Sequence, residues 1–268
     1  MSLSQQREEQ LAIIQSEIET APLISDPVEV LSETCHLVEE YANNSQIFPK
    51  VLSLFHRDTP YTGIRYARRD GNCFYRCVVF ALLEQLLGNP QMAQNFMQHI
   101  TQLRTCLIND YGDFVEDFCD AAVGVVRKIL DGSCANSNQL HTLATSGDSE
   151  YMLYFYRYAV SNYMRTHRDD FLPFVMGLNY DSVEAFCRAE VDAVASESDN
   201  MQVVAFAKCF HVSIIVEYLN GGEGDQTTEH FFSGFDDNNT GNNNSSDAVP
   251  GTVITLLYRP GHYDLLYK

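Results

Sequence analysis

Basic residues are scarce in this chain: 17 Lys and Arg stand against 36 Asp and Glu, a formal charge of -19. A protein that grips a nucleic-acid backbone needs a stripe of Lys and Arg. The sequence has none, so no nucleic-acid partner is expected, and the charge suits basic or neutral partners. A merely well-solvated acidic surface fits the charge equally well. No C-x-x-C pair occurs, and no Cys/His cluster has zinc-ligand spacing. No apolar run is long enough to cross a bilayer, and Gln5 to Gln10 is polar and charged where a signal peptide would be apolar. The expectation is a protein of the cytoplasm, and secondarily of the nucleus, with no membrane partner. Eight cysteines are present, at 35, 73, 77, 106, 119, 134, 187 and 209. A chain of 268 residues that is 45% hydrophobic has no need of disulfide staples, so most are expected as reduced, buried thiols.

That length and hydrophobic content suffice for one large core, or a main lobe with a helical subdomain. Residues 4–20 read as an amphipathic helix with a narrow stripe, Leu11, Ile14 and Ile18, ended by Pro22 and Pro27. Such a helix either docks lightly on its own domain or awaits a partner. Residues 28–57 are expected to be helical. From Phe74 to Leu87 the chain is almost continuously apolar, so this helix belongs at the centre of the core, and Gly88-Asn89-Pro90 stops it. Helical periodicity continues over 91–130. Residues 133–149 read as a loop, and a strong helix follows through Met152, Phe155, Ala159 and Tyr163. Asp181-Ser182-Val183-Glu184 resembles a capping box.

At Val212 the period changes to two, predicting a strand to Tyr218. Residues 220–249 break the pattern, with a short ordered piece at Phe231-Phe232. Within them the Asn-rich tract, about 236–248, is too polar to offset its own ordering and is expected to be mobile. Thr252–Tyr258 and His262–Tyr267 read as two strands around a turn at Arg259-Pro260-Gly261. Helices first and strands last argue for an α+β fold, a small sheet packed on helices.

Two segments carry chemistry. Asp70-Gly71-Asn72-Cys73 is a polar turn that ends in a cysteine and opens the apolar helix. A helix N-terminus stabilises a thiolate, and its free N–H groups can hold an oxyanion. Gly71 lets the backbone approach a substrate carbonyl. A buried, inert thiol is the competing reading, although a polar turn suggests exposure. At the other end, His262 and Asp264 share one face of a strand, so the carboxylate can fix the imidazole, while Tyr263 and Leu265 face the core. Cys77, one helical turn after Cys73, reads as core. The residues alone suggest a cysteine hydrolase.

Asp70-Gly71-Asn72-Cys73-Phe74-Tyr75-Arg76 resembles the catalytic signature of the ovarian-tumour (OTU) class of deubiquitinases, and the otubain branch in particular. Tyr258 to Lys268 is very similar to the otubain C-terminus, as are the stretches Glu184 to Asp199 and Val212 to Glu223. The resemblance covers roughly residues 5–268. It implies a papain-like fold of OTU type, with a small central sheet between helical lobes. It divides the chain into an N-terminal helical arm, 1–25, and a catalytic domain, 26–268. It implies Cys73 as nucleophile, His262 as general base and acid, and Asp264 as the residue that orients His262. Asp70 matches the acid of the oxyanion turn, whose backbone runs over Asp70, Gly71, Asn72 and Cys73.

The implied reaction is hydrolysis of isopeptide bonds in polyubiquitin, of the proteasome-targeting linkage, without metal or cofactor. Implied partners are ubiquitin, polyubiquitin and ubiquitin-charged conjugating enzymes, with a monomer as the default state. Leu11, Ile14 and Ile18 lie where the branch places a helix that meets the proximal ubiquitin. A non-catalytic inhibitor of charged conjugating enzymes is the alternative.

Overall fold

A six-stranded mixed sheet organises the chain, in the order β1-β2-β6-β5-β3-β4. Its strands are β1 (Glu29–Val30), β2 (Gly63–Arg65), β3 (Ser213–Tyr218), β4 (Thr228–Phe232), β5 (Val253–Arg259) and β6 (His262–Tyr267). The computed structural model describes residues 12, 13, 15–235 and 252–268. Only β3 and β5 run parallel; every other neighbouring pair is antiparallel. The last two strands form a tight hairpin in which Arg259 pairs with His262. Pro260 and Gly261, the latter at φ 73°, make the turn, a Pro-Gly order that suits a left-handed second position.

Both faces of the sheet are covered. Alternation along the strands sends Ile214, Val216, Leu256, Tyr263 and Leu265 into the larger core. It sends Leu219, Leu257 and Leu266 into a smaller one, built with Leu37, Val51 and Leu54 from the helices His36–Tyr41 and Phe48–His56. The small sheet between helical layers is the α+β architecture expected from the sequence.

The helix Cys73–Leu87 runs through the larger core with twelve of its 15 residues buried, which makes it the pivot of that layer. Each fully buried Phe or Leu along it contributes about 1.5–3 kcal/mol. Against it lie the helices Pro90–Tyr111, Glu116–Leu130, Ser137–Ala144, Ser149–Thr166 and Asn200–Phe210. Tyr263 and Leu265 face this core as expected, but His262 and Asp264 are buried too, on the opposite face.

Several expectations need correction. The stretch 28–57 is not helical throughout: β1 opens it, pairing Glu29 with Ile64 and Val30 with Gly63. Gly63 permits that pairing, since a Cβ there would stand 2.5 Å from the Val28 side chain. Residues 133–149 are not all loop, because Ser137–Ala144 is a helix capped by the Asn136 side chain and anchored on buried Leu140. Its polar exposed face hid it. At 181–184 the cap is Ser182, whose hydroxyl accepts from the Ala185 N–H; the reciprocal capping box lies instead at Asp199 and Gln202.

At the N-terminus, residues 15–20 are helical, Ile18 is half-buried, and its neighbours are exposed. Leu11, Ile14 and the tract 236–248 lie outside the described residues. Among the described residues, no helix is long and apolar enough to cross a membrane, and no group of three or more His, Cys, Asp and Glu side chains is placed to hold a metal.

Candidate functional site

The β5–β6 hairpin delivers His262 to the N-terminus of the Cys73 helix. The N–H of Tyr263 donates to Cys73 Sγ at 3.4 Å, so the thiol touches the residue that follows the histidine. Cys77, one helical turn on, donates its thiol to the Tyr263 carbonyl at 3.5 Å. Cys77 is wholly buried, so its role is to bind helix to hairpin.

On the other face of the hairpin, His262 Nε2 lies 3.0 Å from Asp264 Oδ1. An ionised carboxylate only accepts, so Nε2 carries a proton and donates it to Asp264. Nδ1 is buried and, among the described residues, has no hydrogen-bond partner.

Asp264 is itself held from three sides. Oδ1 also accepts the Ala67 N–H at 3.0 Å, and Oδ2 accepts from Arg259. Arg259 in turn reaches Glu40 at 2.6 Å. Burial pushes the Asp264 carboxyl up, but Arg259, His262 and the Ala67 N–H outweigh it and hold the carboxyl below its usual range. Arg259 escaped the sequence reading as part of a turn. The signal was its period-two spacing, for its cross-strand partner is His262 and its diagonal neighbour is Asp264.

One expectation about the turn needs correction, and one of its residues gains a defined role. The expectation concerns Cys73, which is 3% exposed rather than open to solvent. Burial pushes its thiol up to about 11, against the lowering expected from a helix N-terminus; the Tyr263 N–H pulls it down and the Asp264 charge pushes it up. Desolvation outweighs the dipole because the segment after Val191 folds onto the turn. Gly71, at φ 76°, packs so closely on Ala195 that a Cβ there would stand 2.0 Å from the Ala195 carbonyl oxygen. Ala195 is itself left-handed, at φ 59°. The Glu197 carboxylate lies 3.2 Å from where a Cβ on Gly261 would stand, so the same segment also reaches the hairpin turn.

The residue with a defined role is Asp70. Its side chain does not join His262. Oδ1 accepts the Asn72 N–H at 3.0 Å, and Oδ2 pairs with Arg76 at 2.5 Å. Asp70 therefore shapes the turn, and it occupies one of the four N–H groups expected to serve an oxyanion. The N–H groups of Asp70, Gly71 and Cys73 remain, the last at the helix N-terminus, where N–H groups lack intrahelical partners.

The hairpin thus carries an imidazole held by an oriented carboxylate and, through the next residue's N–H, touches a thiol from the other end of the chain, beside a glycine turn at a helix N-terminus. Residues 16–268 match the otubain peptidase family, Peptidase C65. The chain belongs to the otubain family. It is 31% identical over 258 residues to human ubiquitin thioesterase OTUB1, covering 95% of this chain and 87% of that one. To the ovarian tumor domain-containing deubiquitinating enzyme 1 of Arabidopsis thaliana it is 33% identical over 271 residues, covering 97% and 85%. Among solved structures it resembles the h/ceOTUB1-ubiquitin aldehyde-UBC13~Ub complex, with a TM-score of 0.79 at 25% identity over 100% of this chain and 99% of that one. The ceOTUB1 ubiquitin aldehyde UBC13~Ub complex gives the same TM-score at 24% identity, over 97% and 99%. As an otubain, the protein has the α+β fold expected from its sequence.

Proposed function

We propose that this otubain is a cysteine deubiquitinase that cleaves isopeptide bonds in polyubiquitin through Cys73, His262 and Asp264. One observation carries the reading: Asp264 fixes Nε2 of His262, while Nδ1 has no hydrogen-bond partner among the described residues. The kinship with ubiquitin thioesterases supplies the substrate class.

The neutral thiol of Cys73 gives its proton to His262 Nδ1, and the resulting imidazolium is stabilised by Asp264. The thiolate attacks the carbonyl of the C-terminal glycine of ubiquitin. The N–H groups of Gly71 and Cys73 face the oxyanion. The imidazolium then protonates the departing lysine amine. Water, deprotonated by His262, cleaves the thioester and regenerates the thiol. Asp70 acts as the brace of the turn rather than as a member of the proton relay.

Two finer points belong to the same proposal. The preferred chain carries the proteasome-targeting linkage, and charged conjugating enzymes bind as well, as they do in the related solved complexes. The N-terminal helix, with Leu11, Ile14 and Ile18, meets the proximal ubiquitin. Its support is the exposure of Gln15, Ser16, Glu17, Glu19 and Thr20 around half-buried Ile18.

A panel of di-ubiquitins of every linkage, together with a fluorogenic ubiquitin C-terminal amide, tests the proposal. Turnover of the amide and one preferred linkage is the expected result. Removing residues 1–20 should slow chain cleavage more than amide hydrolysis; equal losses would remove the helix from the reading. Binding of a charged conjugating enzyme without any turnover would make the protein an inhibitor instead.

A further inference from the structure

Arg157 lies on the inner face of the helix Ser149–Thr166, 1% exposed, and no carboxylate pairs with it among the described residues. A buried guanidinium without a counterion is expensive, so its hydrogen bonds must justify its place. They converge on the catalytic turn. Nε and one terminal nitrogen donate to Asn72 Oδ1 at 3.2 and 2.8 Å. That same terminal nitrogen reaches the carbonyls of Gly71 at 2.9 Å and Ser196 at 2.8 Å. The other donates to the Val191 carbonyl at 3.2 Å. The guanidinium carbon lies over the Tyr75 ring, 4.5 Å from its centroid.

Two details show what this cluster does. Asn72 stands at the N-cap of the Cys73 helix, yet its side chain does not cap the helix; it is turned to Arg157 instead. The Gly71–Asn72 peptide is gripped at both ends, its carbonyl by Arg157 and its N–H by Asp70. A peptide unit is planar, so fixing both groups fixes its orientation. Glycine at φ 76° would otherwise allow that plane to turn over. Through Val191 and Ser196, the same guanidinium anchors the segment whose Ala195 packs on Gly71.

We propose that Arg157 is the positioning residue of the oxyanion turn, locking the Gly71–Asn72 peptide plane and the 191–196 segment into one arrangement so that the donors beside Cys73 keep a single aim. The inference rests on the deubiquitinase reading for its catalytic consequence, but the locking itself is a property of the free protein.

The test combines kinetics and amide exchange on wild type, Arg157→Lys, Asn72→Ala and the double variant. Lysine keeps the charge and loses the fork. With the fluorogenic ubiquitin amide, kcat should fall about 100-fold in Arg157→Lys, the scale of one mis-aimed oxyanion donor, with KM little changed. Asn72→Ala should lower kcat as well, and the double variant should be no slower than Arg157→Lys, because both break one unit.

By NMR, the Asn72 amide should exchange at least about tenfold faster in Arg157→Lys, while core amides of the Cys73 helix keep their protection. Arg165→Gln is the control: Arg165 pairs with Asp192 at 2.6 Å at the start of the same segment. It should lower the melting temperature while kcat stays near wild type. Should Arg157→Lys fail to fold, Asn72→Ala alone must still show both the kcat loss and the faster Asn72 exchange. Multiplying kcat effects, unchanged Asn72 exchange, or a loss confined to KM and melting temperature would overturn the proposal. An inactive wild type would end the deubiquitinase reading, and the exchange data alone would then decide the role of Arg157.

Discussion

Cys73 Sγ and the backbone N–H of Tyr263 meet at 3.4 Å, so the hairpin that carries His262 also holds the thiol in place. The N–H favours a thiolate, but burial opposes it more strongly, and the thiol is pushed up to about 11. Burial therefore favours the neutral thiol in the free protein.

Alkylation of free Cys73 by iodoacetamide reads that state directly. Because the thiolate is the nucleophile, the rate should climb about tenfold per pH unit from neutrality toward pH 11. A plateau already reached below neutral pH would mean a preformed thiolate–imidazolium pair, and would contradict this account.

Asp264→Asn should lower kcat by up to about 10⁴-fold, the scale seen when a catalytic histidine loses its orienting carboxylate. It should also change the acid limb of stability. The folded carboxyl lies below its ordinary value of 3.8, so the unfolded chain binds the proton more readily. The stabilisation is therefore complete above that value and lost as pH falls through the folded one. Urea midpoints between about pH 2 and pH 6 should fall steeply in wild type and less in the variant. Parallel curves would place the acid sensitivity elsewhere.

Gly71→Ala should be inactive and less stable. The added Cβ would meet the Ala195 carbonyl oxygen at 2.0 Å, and the left-handed backbone alone costs about 1–2 kcal/mol. A variant with wild-type turnover would show that the 191–196 segment does not pack on the turn.

Glu217 offers a contrast away from the site. It is fully buried on β3 and accepts from Arg57 at 2.5 Å, from Tyr61 at 2.8 Å, and from Thr227. Glu217→Ala strands those donors and should cost about 3–5 kcal/mol by urea unfolding. Amide hydrolysis per folded molecule should not change; a kcat loss matching that of Asp264→Asn would tie this network to catalysis.

The legibility of the chain follows from how local each signal is. The Cys73 helix announced itself by unbroken apolar residues, and β5 and β6 by alternation, because each pattern lies within one element. His262 and Asp264 were readable as a pair because two residues on a strand share a face. β1 was not, since two residues carry no period and its partner strand lies more than thirty positions away. Arg157 and Arg259 look like ordinary surface arginines in sequence. Only the folded topology brings one beneath the Gly71–Asn72 turn and the other onto Asp264. The burial of Cys73 was hidden for the same reason, because the residues that cover its turn come from the 191–199 segment.

The most direct test treats the purified protein with ubiquitin bearing a C-terminal electrophile, beside a Cys73→Ser control. The account predicts one covalent adduct in wild type, mapped to Cys73 by mass spectrometry, and none in the control. An adduct that persists in Cys73→Ser, or none in wild type under conditions where ubiquitin binds, would contradict Cys73 as the ubiquitin-directed nucleophile.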